Sequence, residues 1–277
     1  MCRQLGYVGP PVRVGDMLTL GSHSLRTQAW APKDMRGGGT INADGFGVAW
    51  WRDDDGVTVS RYRNAAPIWT DPAVEEVLPQ LESRAVLAAV RSATIGMPVE
   101  RSACAPFTHG RWAFSHNGAV PDWRRALGAV AEEFGATATE LGAGQLFDPA
   151  RLLEAESATD SATLWVILRS LLSTDTPDGS WAAAPAALSL LVAAVLAQSP
   201  GARLNLLLGD GRQMWATTVH HSLCALVTDD FAILSSEPFD DDPRWQPIPD
   251  RQLVSARPGA LSVAPLLDVP STKGSLQ

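Results

Sequence analysis

Short apolar runs bounded by polar turn residues predict several β-strands in the first half of the chain. DGFGVAWW (residues 44–51) and VTVSRYR (57–63) are separated by RDDDG, and we expect a hairpin in which Gly56 permits the turn. RAVLAAVRSAT (84–94) and GRWAFSHNGAV (110–120) predict two further strands, each of which runs into polar residues. The polar ends of these strands are therefore candidates for functional positions.

Helical spacing follows the strands. Apolar residues recur at intervals of three and four in PDWRRALGAVAEEF (121–134) and in DSATLWVILRSLLS (160–173), where Asp160 is expected to cap the helix. The most apolar segment, WAAAPAALSLLVAAVLAQ (181–198), predicts a buried helix. Only about a dozen of its residues follow Pro185, which is too few to span a bilayer.

Strand patterns return after the third helix. RLNLLLGD, QMWATTVH, SLCALVTDD and FAILSSEP predict an antiparallel meander. The order of strands, helices and strands predicts an α+β fold of two sheets with helices packed outside them. A Pro/Ser-rich linker of domain-boundary length is lacking, so we expect one domain, with a surface loop at 173–181 and a flexible tail at 270–277.

Composition and charge narrow the class of protein. A chain of 277 residues with 45% hydrophobic and 19% charged residues is typical of globular proteins. A net charge of −8 and a pI near 5.1 argue against nucleic acid or an anionic membrane as partner and favour a small-molecule substrate. The start lacks the pattern of a secretory signal, which predicts a cytoplasmic location.

The cysteines and histidines do not have the spacing of a metal site. The three cysteines (Cys2, Cys104 and Cys224) are odd in number and lack a CxxC pair, so neither a disulfide framework nor zinc is expected. The five histidines lack ligand spacing with acidic neighbours. We therefore predict neither a metal nor a cofactor.

Cys2 directly follows the initiator methionine. Aminopeptidases remove Met1 when the next side chain is small, which would leave Cys2 with a free α-amine beside its thiol. The amine has a reference pKa of about 7.7–8.0 and can accept a proton at neutral pH, and the thiolate is a strong nucleophile. The alternative is that Cys2 is only a small apolar residue near a terminus.

Four motifs together resemble the class II glutamine amidotransferases, which are N-terminal nucleophile hydrolases. They are Cys2 at the terminus, VRSAT ending at Thr94, SHNGAV ending at Val120, and ATDSATL around Asp160. The resemblance covers essentially the whole chain, with 2–269 as one domain. It implies a four-layer αββα sandwich of two mainly antiparallel sheets.

Longer strings resemble one group within this family. MCRQLGYVGPP, NADGFGVAWW, VRSATIGMPVE, APFTHGRWAFSHNGAV and SSEPFDDDPRW look most like the stand-alone hydrolases that release glutamate from γ-glutamyl-hercynylcysteine S-oxide in ergothioneine biosynthesis. Gln4 is a departure, because the resemblance predicts His after Met-Cys-Arg. The sequence therefore does not settle how the side chain at position 4 positions Cys2.

The resemblance also implies a role for each site residue. Cys2 is the nucleophile that forms a γ-glutamyl thioester, and the Asn117 side chain with the Gly118 N–H supplies the oxyanion hole. The expected substrate-binding residues are Arg91 for the α-carboxylate, Thr94 as a hydroxyl contact, Asp160 for the α-ammonium group, and His116. Taken singly, His-Asn-Gly could be a turn, Arg91 a surface charge and Asp160 a helix cap.

Three alternatives to a stand-alone γ-glutamyl hydrolase remain open from the sequence. The chain could be a glutaminase subunit that supplies ammonia to a separate synthase, an inactive glutamate-binding module, or a peptidase or acylase of the same superfamily. Hydrolysis without an obligatory synthase subunit is preferred, because the hydrolase fold accounts for the chain and leaves no synthase half. Intact reacting residues argue against a binding module, and Arg91 and Asp160, which specify a free glutamyl head group, argue against a peptidase or acylase. Trp30 and Trp51 are candidates for an aromatic wall facing a trimethylammonium group.

Overall fold

Two antiparallel sheets form the centre of the molecule. The computed structural model describes residues 2–34, 36, 41–52, 58–140, 148–172 and 183–266. The strands within these residues are β1 (Arg3–Arg13), β2 (Phe46–Trp51), β3 (Val59–Asn64), β4 (Glu82–Val90), β5 (Phe107–His109), β6 (Trp112–Ala119), β7 (Arg203–Gly209), β8 (Met214–Thr218), β9 (Cys224–Val227), β10 (Ala232–Ser235), β11 (Gln246–Pro247), β12 (Gln252–Arg257) and β13 (Ala260–Pro265). One sheet has the order β11-β9-β10-β1-β4-β2-β3 and the other β13-β12-β8-β7-β6-β5.

Helices cover the outer face of each sheet. The α-helices of the described residues are α1 (Asp16–Thr19), α2 (Leu25–Gln28), α3 (Ala73–Glu76), α4 (Trp123–Glu140), α5 (Asp160–Leu172) and α6 (Ala183–Gln198). Short 3-10 turns lie at Ile68–Thr70, Leu78–Gln80, Arg101–Ala103 and Pro149–Glu154. None of these helices combines the length and the hydropathy needed to cross a membrane.

Three apolar clusters separate four layers. Leu5 and Val86 pack with α1 and α2 outside the seven-stranded sheet. Leu87 and Leu207 meet between the two sheets, and Phe114 packs with α4, α5 and α6 outside the six-stranded sheet. Because side chains of a strand alternate between faces, each sheet contributes to two clusters. The predicted α+β class with two antiparallel sheets is confirmed.

Several predicted elements are confirmed with changed ends. β2 and β3 pair as the expected hairpin, although its predicted turn with Gly56 lies outside the described residues. β4 ends at Val90 instead of Thr94, and α4 continues to Glu140. The cap of α5 is Thr159, whose Oγ1 accepts from the Ala162 N–H at 3.2 Å, while Asp160 is the first helical residue.

The predicted C-terminal meander is wrong in one respect. β7 and β8 form a hairpin in the six-stranded sheet, but β9 and β10 pair in the other sheet. The chain changes sheets after β8, where His220 has a positive φ of 89°. The buried side chain of Asn205 holds this turn by accepting from the N–H groups of Val219 and His221, each at 3.0 Å.

The sequence patterns did not predict four parts of the sheets, which are β1, β5, β11 and the β12–β13 hairpin. β1 lies at the centre of the seven-stranded sheet, between β10 and β4. Its apolar pattern is interrupted by a Gly-Pro-Pro segment, and the pairing with β4 shifts register between Val8 and Val12 to accommodate it. The β12–β13 hairpin was also not predicted. The predicted loop at 173–181 and tail at 270–277 lie outside the described residues, and the single-domain assignment stays a prediction.

Candidate active site

The N-terminus of β1 lies beside the loop that follows β4. Arg3 is paired with Val90 across these antiparallel strands, so the preceding residue, Cys2, lies next to Arg91 and Ser92. The Cys2 thiol is 3.7 Å from the Ser92 carbonyl oxygen and is partly exposed. The register of the central strands therefore brings Cys2 and Arg91 together, although they are far apart in sequence.

Asp44 shapes the loop after β4. Its N–H donates to the Arg91 carbonyl at 3.0 Å, its carboxylate accepts from the Ala93 N–H at 2.7 Å, and the Arg91 N–H donates to the Gly45 carbonyl at 2.8 Å. These bonds replace strand pairing, which explains why β4 ends before Arg91. Thr94 is exposed farther along this loop. The motif analysis did not single out Asp44, although a carboxylate preceding Gly at the start of a strand is a common loop-fixing signal.

The Arg91 guanidinium has no acidic partner among the described residues. It makes one long hydrogen bond, from Nη1 to the Asp44 carbonyl at 3.4 Å. Within the described part of the chain, no carboxylate lies at salt-bridge distance from it. A partly exposed guanidinium in this state can donate two parallel hydrogen bonds to a carboxylate.

Contacts across the two sheets place Cys2 near the end of β6. A Cβ on Gly6 would lie 3.4 Å from the Leu207 side chain, and Gln4 donates to the Asn205 carbonyl at 3.2 Å. Two residues along β1, from Gly6 to Gln4, thus correspond to two residues along β7, from Leu207 to Asn205. Two further residues on each strand bring Cys2 to the level of Arg203. Arg203 is paired with Ala119, so Cys2 lies at the level of Ala119, the residue that follows Asn117 and Gly118 on β6.

Asn117 faces the space between the sheets. It shares this face with Ser115, because residues two apart on a strand point the same way. Its side chain is buried, and Oδ1 has no hydrogen-bond partner among the described residues. An amide that is buried without its full set of partners is costly, so this group is available to a ligand.

Gly118 is required by the packing of β6 on β7. A Cβ at this position would lie 1.8 Å from the Arg203 carbonyl oxygen and 2.5 Å from the His116 ring. No side chain can be accommodated at that separation. Glycine at position 118 therefore allows the backbones of β6 and β7 to pack at their observed separation.

His116 lies on the opposite face of β6 from Asn117. Its Nε2 donates to the Arg203 carbonyl at 2.8 Å, and its Nδ1 is 3.0 Å from the Ser161 hydroxyl. Both ring nitrogens are thus used to join β6, β7 and α5. A contact between His116 and a substrate stays a prediction.

Asp160 is held against the end of β6. Its carboxylate accepts from the Val120 N–H at 2.9 Å and from the Ser161 N–H at 2.8 Å. The residue is 7% exposed, and no Lys, Arg or His of the described residues pairs with it at salt-bridge distance. The structure thus brings Asp160 to the same end of the sandwich as Cys2, Arg91, Asn117 and Gly118.

A buried ion cluster anchors the backbone of Cys2. Arg3 Nη1 donates to the Cys2 carbonyl at 3.0 Å, and Arg3 Nε donates to Glu237 Oε1 at 2.9 Å. Glu237 also lies 2.6 Å from His23 Nε2. The side chains of Arg3 and Glu237 are 1% and 3% exposed, so the pair is fully desolvated.

Glu237 is charged in this cluster. Burial alone would raise its pKa, but hydrogen bonds from His23 and from the N–H groups of Lys33 and Asp34, together with the Arg3 charge, hold the pKa below its ordinary value. The sequence motifs did not assign Glu237 a role, although a Glu two residues after the apolar strand β10 is a signal of a buried charge. Its function here is to fix Arg3, and through Arg3 the Cys2 backbone.

The other two cysteines have a different environment. Burial raises the pKa of Cys104, and it raises the pKa of Cys224 to about 11. Both thiols are therefore poor nucleophiles at neutral pH. Among the described residues, no three His, Cys, Asp or Glu side chains are grouped so that they could hold a metal ion.

The two tryptophan candidates lie in different places. Trp51 is buried between the sheets, donates from Nε1 to the Arg111 carbonyl at 2.7 Å, and lies about 17 Å along β2 from the site end. Its assignment to a substrate wall is wrong, because packing between the sheets uses the whole ring. Trp30 is exposed and contacts Trp69 edge to face, with ring centroids 5.5 Å apart.

The amino-acid sequence is similar to known proteins along almost its whole length. The profile of the family described as glutamine amidotransferases class-II matches residues 20–275. A protein of Mycolicibacterium smegmatis named gamma-glutamyl-hercynylcysteine sulfoxide hydrolase is 39% identical over 96% of this chain and 100% of its own length. A protein of the same name from Mycobacterium tuberculosis is 40% identical over 92% of each chain.

Solved structures show the same fold at lower identity. A glutamine aminotransferase class-II domain protein of Silicibacter pomeroyi has a TM-score of 0.61 at 21% identity, over 96% of this chain and 100% of that one. The glutamine phosphoribosylpyrophosphate amidotransferase of Bacillus subtilis has a TM-score of 0.58 at 14% identity, and the match covers 49% of that chain.

The cluster around Glu237 generates a stability prediction. Glu237→Gln removes the negative charge that faces the buried Arg3 guanidinium, so it should lower the free energy of unfolding at pH 7 by about 3–5 kcal/mol. Because the folded pKa of Glu237 is lowered, its stabilisation is present at neutral pH and is lost as pH falls below the usual carboxylate range of about 4. The difference between wild type and variant should therefore narrow in acid, as measured by urea unfolding across pH.

A matched control is available on the surface. Glu75 pairs with Arg26, and its side chain is 64% exposed. Glu75→Gln should change the free energy of unfolding by less than about 1 kcal/mol at any pH. Equal stability of Glu237→Gln and wild type at pH 7 would contradict the assignment of a charged, stabilising Glu237.

Proposed function

The chain belongs to the class II glutamine amidotransferases, and from this we propose that it hydrolyses the γ-glutamyl amide bond of γ-glutamyl-hercynylcysteine S-oxide. The products are glutamate and hercynylcysteine S-oxide. The observation that carries the proposal is the similarity to hydrolases of that name along almost the whole chain. The meeting of Cys2, Arg91 and Asn117 at one end of the sandwich supports it.

The proposed reaction begins with removal of Met1. The α-amine of Cys2 then takes the thiol proton, and Sγ attacks the γ-carbonyl carbon of the substrate. The S–C bond forms first and places negative charge on the carbonyl oxygen, and the C–N bond then breaks as the α-ammonium group gives its proton to the leaving amine. Water, deprotonated by the same amine, attacks the thioester and releases glutamate, and the proton returns to Sγ. No other base is needed, since the amine and the thiol belong to one residue.

Negative charge on the carbonyl oxygen is stabilised by donors on β6. We assign this role to the Asn117 amide and the Gly118 N–H, which lie within two residues of Ala119, the residue of β6 at the level of Cys2. Asn117 is buried and packed between the sheets, so its side chain is held in place before the substrate binds. Such preorganised donors stabilise the transition state more than the ground state.

Two opposite charges recognise the glutamyl head group. The Arg91 guanidinium, which lacks an acidic partner among the described residues, accommodates the α-carboxylate. The Asp160 carboxylate, held by Val120 and Ser161, accommodates the α-ammonium group. Thr94 supplies a hydroxyl contact from the loop after β4.

The nucleophilic thiol requires a reducing environment, which favours the cytoplasm as the location of the reaction.

The first prediction concerns the substrate. All γ-glutamyl compounds share the head group, so discrimination depends on the leaving group, whose permanent cation and carboxylate offer far more contacts than the ammonia released from glutamine. The purified protein alone, without added metal, nucleotide or partner, should show a kcat/KM for γ-glutamyl-hercynylcysteine S-oxide that exceeds the value for glutamine by orders of magnitude. Equal values, or activity only after addition of a synthase, would favour the ammonia-supplying alternative.

The second prediction separates chemistry from binding. Asn117→Ala removes an oxyanion donor and should lower kcat by roughly 10²- to 10³-fold. Arg91→Lys replaces a guanidinium, which can donate two parallel hydrogen bonds to the α-carboxylate, with an ammonium that acts as a point charge. The variant should instead raise KM by roughly ten- to a hundredfold. Steady-state kinetics on the sulfoxide substrate measure both. An unchanged KM in Arg91→Lys would show that the carboxylate is bound elsewhere.

A further inference from the structure

Gln4 forms a polar bridge between the two sheets directly below the site. Its Oε1 accepts from the Ser115 hydroxyl at 2.7 Å, and its Nε2 donates to the Asn205 carbonyl at 3.2 Å. Gln4 is 1% exposed and Asn205 is 0% exposed, so this bridge is dry. Gln4 belongs to β1, whereas Ser115 and Asn205 belong to β6 and β7.

The backbone of Gln4 is equally constrained. Its N–H donates to the Ser236 hydroxyl at 3.0 Å, and its carbonyl accepts from the Ser236 N–H at 2.9 Å. The side-chain bridge therefore starts from a fixed strand, and a change in it is not absorbed by movement of β1. A bridge of this kind fixes a distance as well as contributing stability.

The site residues Cys2 and Asn117 each lie two residues along the chain from a residue of the bridge. Cys2 is two residues before Gln4 on β1, and Asn117 is two residues after Ser115 on β6. Asn117 is also paired with Asn205, the second anchor of the bridge. The separation between the strand that bears Cys2 and the strand that bears Asn117 is therefore set where Gln4 meets Ser115 and Asn205.

We propose that Gln4 is a positioning residue that sets the distance between Cys2 and the Asn117 amide. The inference rests on the proposed function, because it assigns Cys2 and Asn117 to the same reaction step. Gln4 does not touch the substrate and acts through the two strands. A displacement of about 1 Å between a nucleophile and an oxyanion donor is enough to lower a rate by roughly a hundredfold.

The test begins with Gln4→Met, which preserves the length of the side chain and removes both hydrogen bonds. Its kcat should fall roughly 10- to 100-fold, with KM changed by less than about twofold, because the head-group contacts are untouched. Gln4→His should recover much of the activity, since an imidazole supplies one donor and one acceptor.

Trp51→Phe is the matched control. Trp51 also joins the two sheets through a hydrogen bond to a backbone carbonyl, that of Arg111, but at the far end of β2. The variant should lower the melting temperature by an amount comparable to Gln4→Met while kcat stays within about twofold of wild type. A loss of kcat in Trp51→Phe as large as in Gln4→Met would overturn the proposal, because general destabilisation would then explain both.

A double-mutant cycle decides between positioning and a merely structural role. If Gln4 acts by aligning Asn117 with Cys2, then Gln4→Met should lower kcat less than about threefold in the Asn117→Ala background. An equal loss in both backgrounds, or full kcat in Gln4→Met alone, would overturn the role of Gln4. A wild-type protein that turns over neither the sulfoxide nor glutamine would contradict the proposed function itself, which distinguishes the two failures.

Discussion

Arg3 and Gln4 are neighbours on β1 and point to opposite faces of the seven-stranded sheet, and the geometry of the site depends on this pair. Arg3 reaches the outer side, where Glu237 neutralises it, and donates to the Cys2 carbonyl at 3.0 Å. Gln4 reaches the inner side and bonds to Ser115 and Asn205 of the other sheet. Because the two side chains are buried and hydrogen-bonded, the end of β1 is held from both faces. A terminal residue, which is ordinarily loose, is thereby placed in a defined position.

The buried charges of Arg3 and Glu237 orient the backbone of Cys2. Desolvating Arg3 and Glu237 is costly, and the gain in stability is smaller than the number of contacts suggests. What the cluster supplies is orientation, because His23 and the N–H groups of Lys33 and Asp34 fix Glu237 in one position. In the proposed mechanism the base and the nucleophile both belong to Cys2, so fixing one backbone position aligns both. Arg91 and Asp160 are different: neither has a charged partner among the described residues, which leaves them free for opposite charges on a substrate.

The sequence predicted the class of fold and the three long helices, α4, α5 and α6, because their signals are local, whereas the four-residue helices α1, α2 and α3 were not predicted. Periodic apolar residues predicted α5, and the apolar runs flanking RDDDG predicted the β2–β3 hairpin. β1 was not predicted, since Gly-Pro-Pro interrupts its pattern and its place at the sheet centre depends on pairing with β4 and β10. The continuous meander was wrong because the change of sheet after β8 depends on Asn205, a contact that no local pattern encodes. Asp44 and Glu237 were missed for the same reason: their partners are distant in the chain.

The central claim is that Cys2, with a free α-amine, carries the γ-glutamyl group during turnover, and mass spectrometry of rapidly quenched protein tests it directly. Wild-type protein mixed with the sulfoxide substrate and quenched in acid should lack Met1 and carry a γ-glutamyl group on the N-terminal peptide that contains Cys2. The group should be removed by hydroxylamine, as expected of a thioester, and should be missing from Cys2→Ala. Full turnover by protein that retains Met1, or a γ-glutamyl group attached to a residue other than Cys2, would contradict the account.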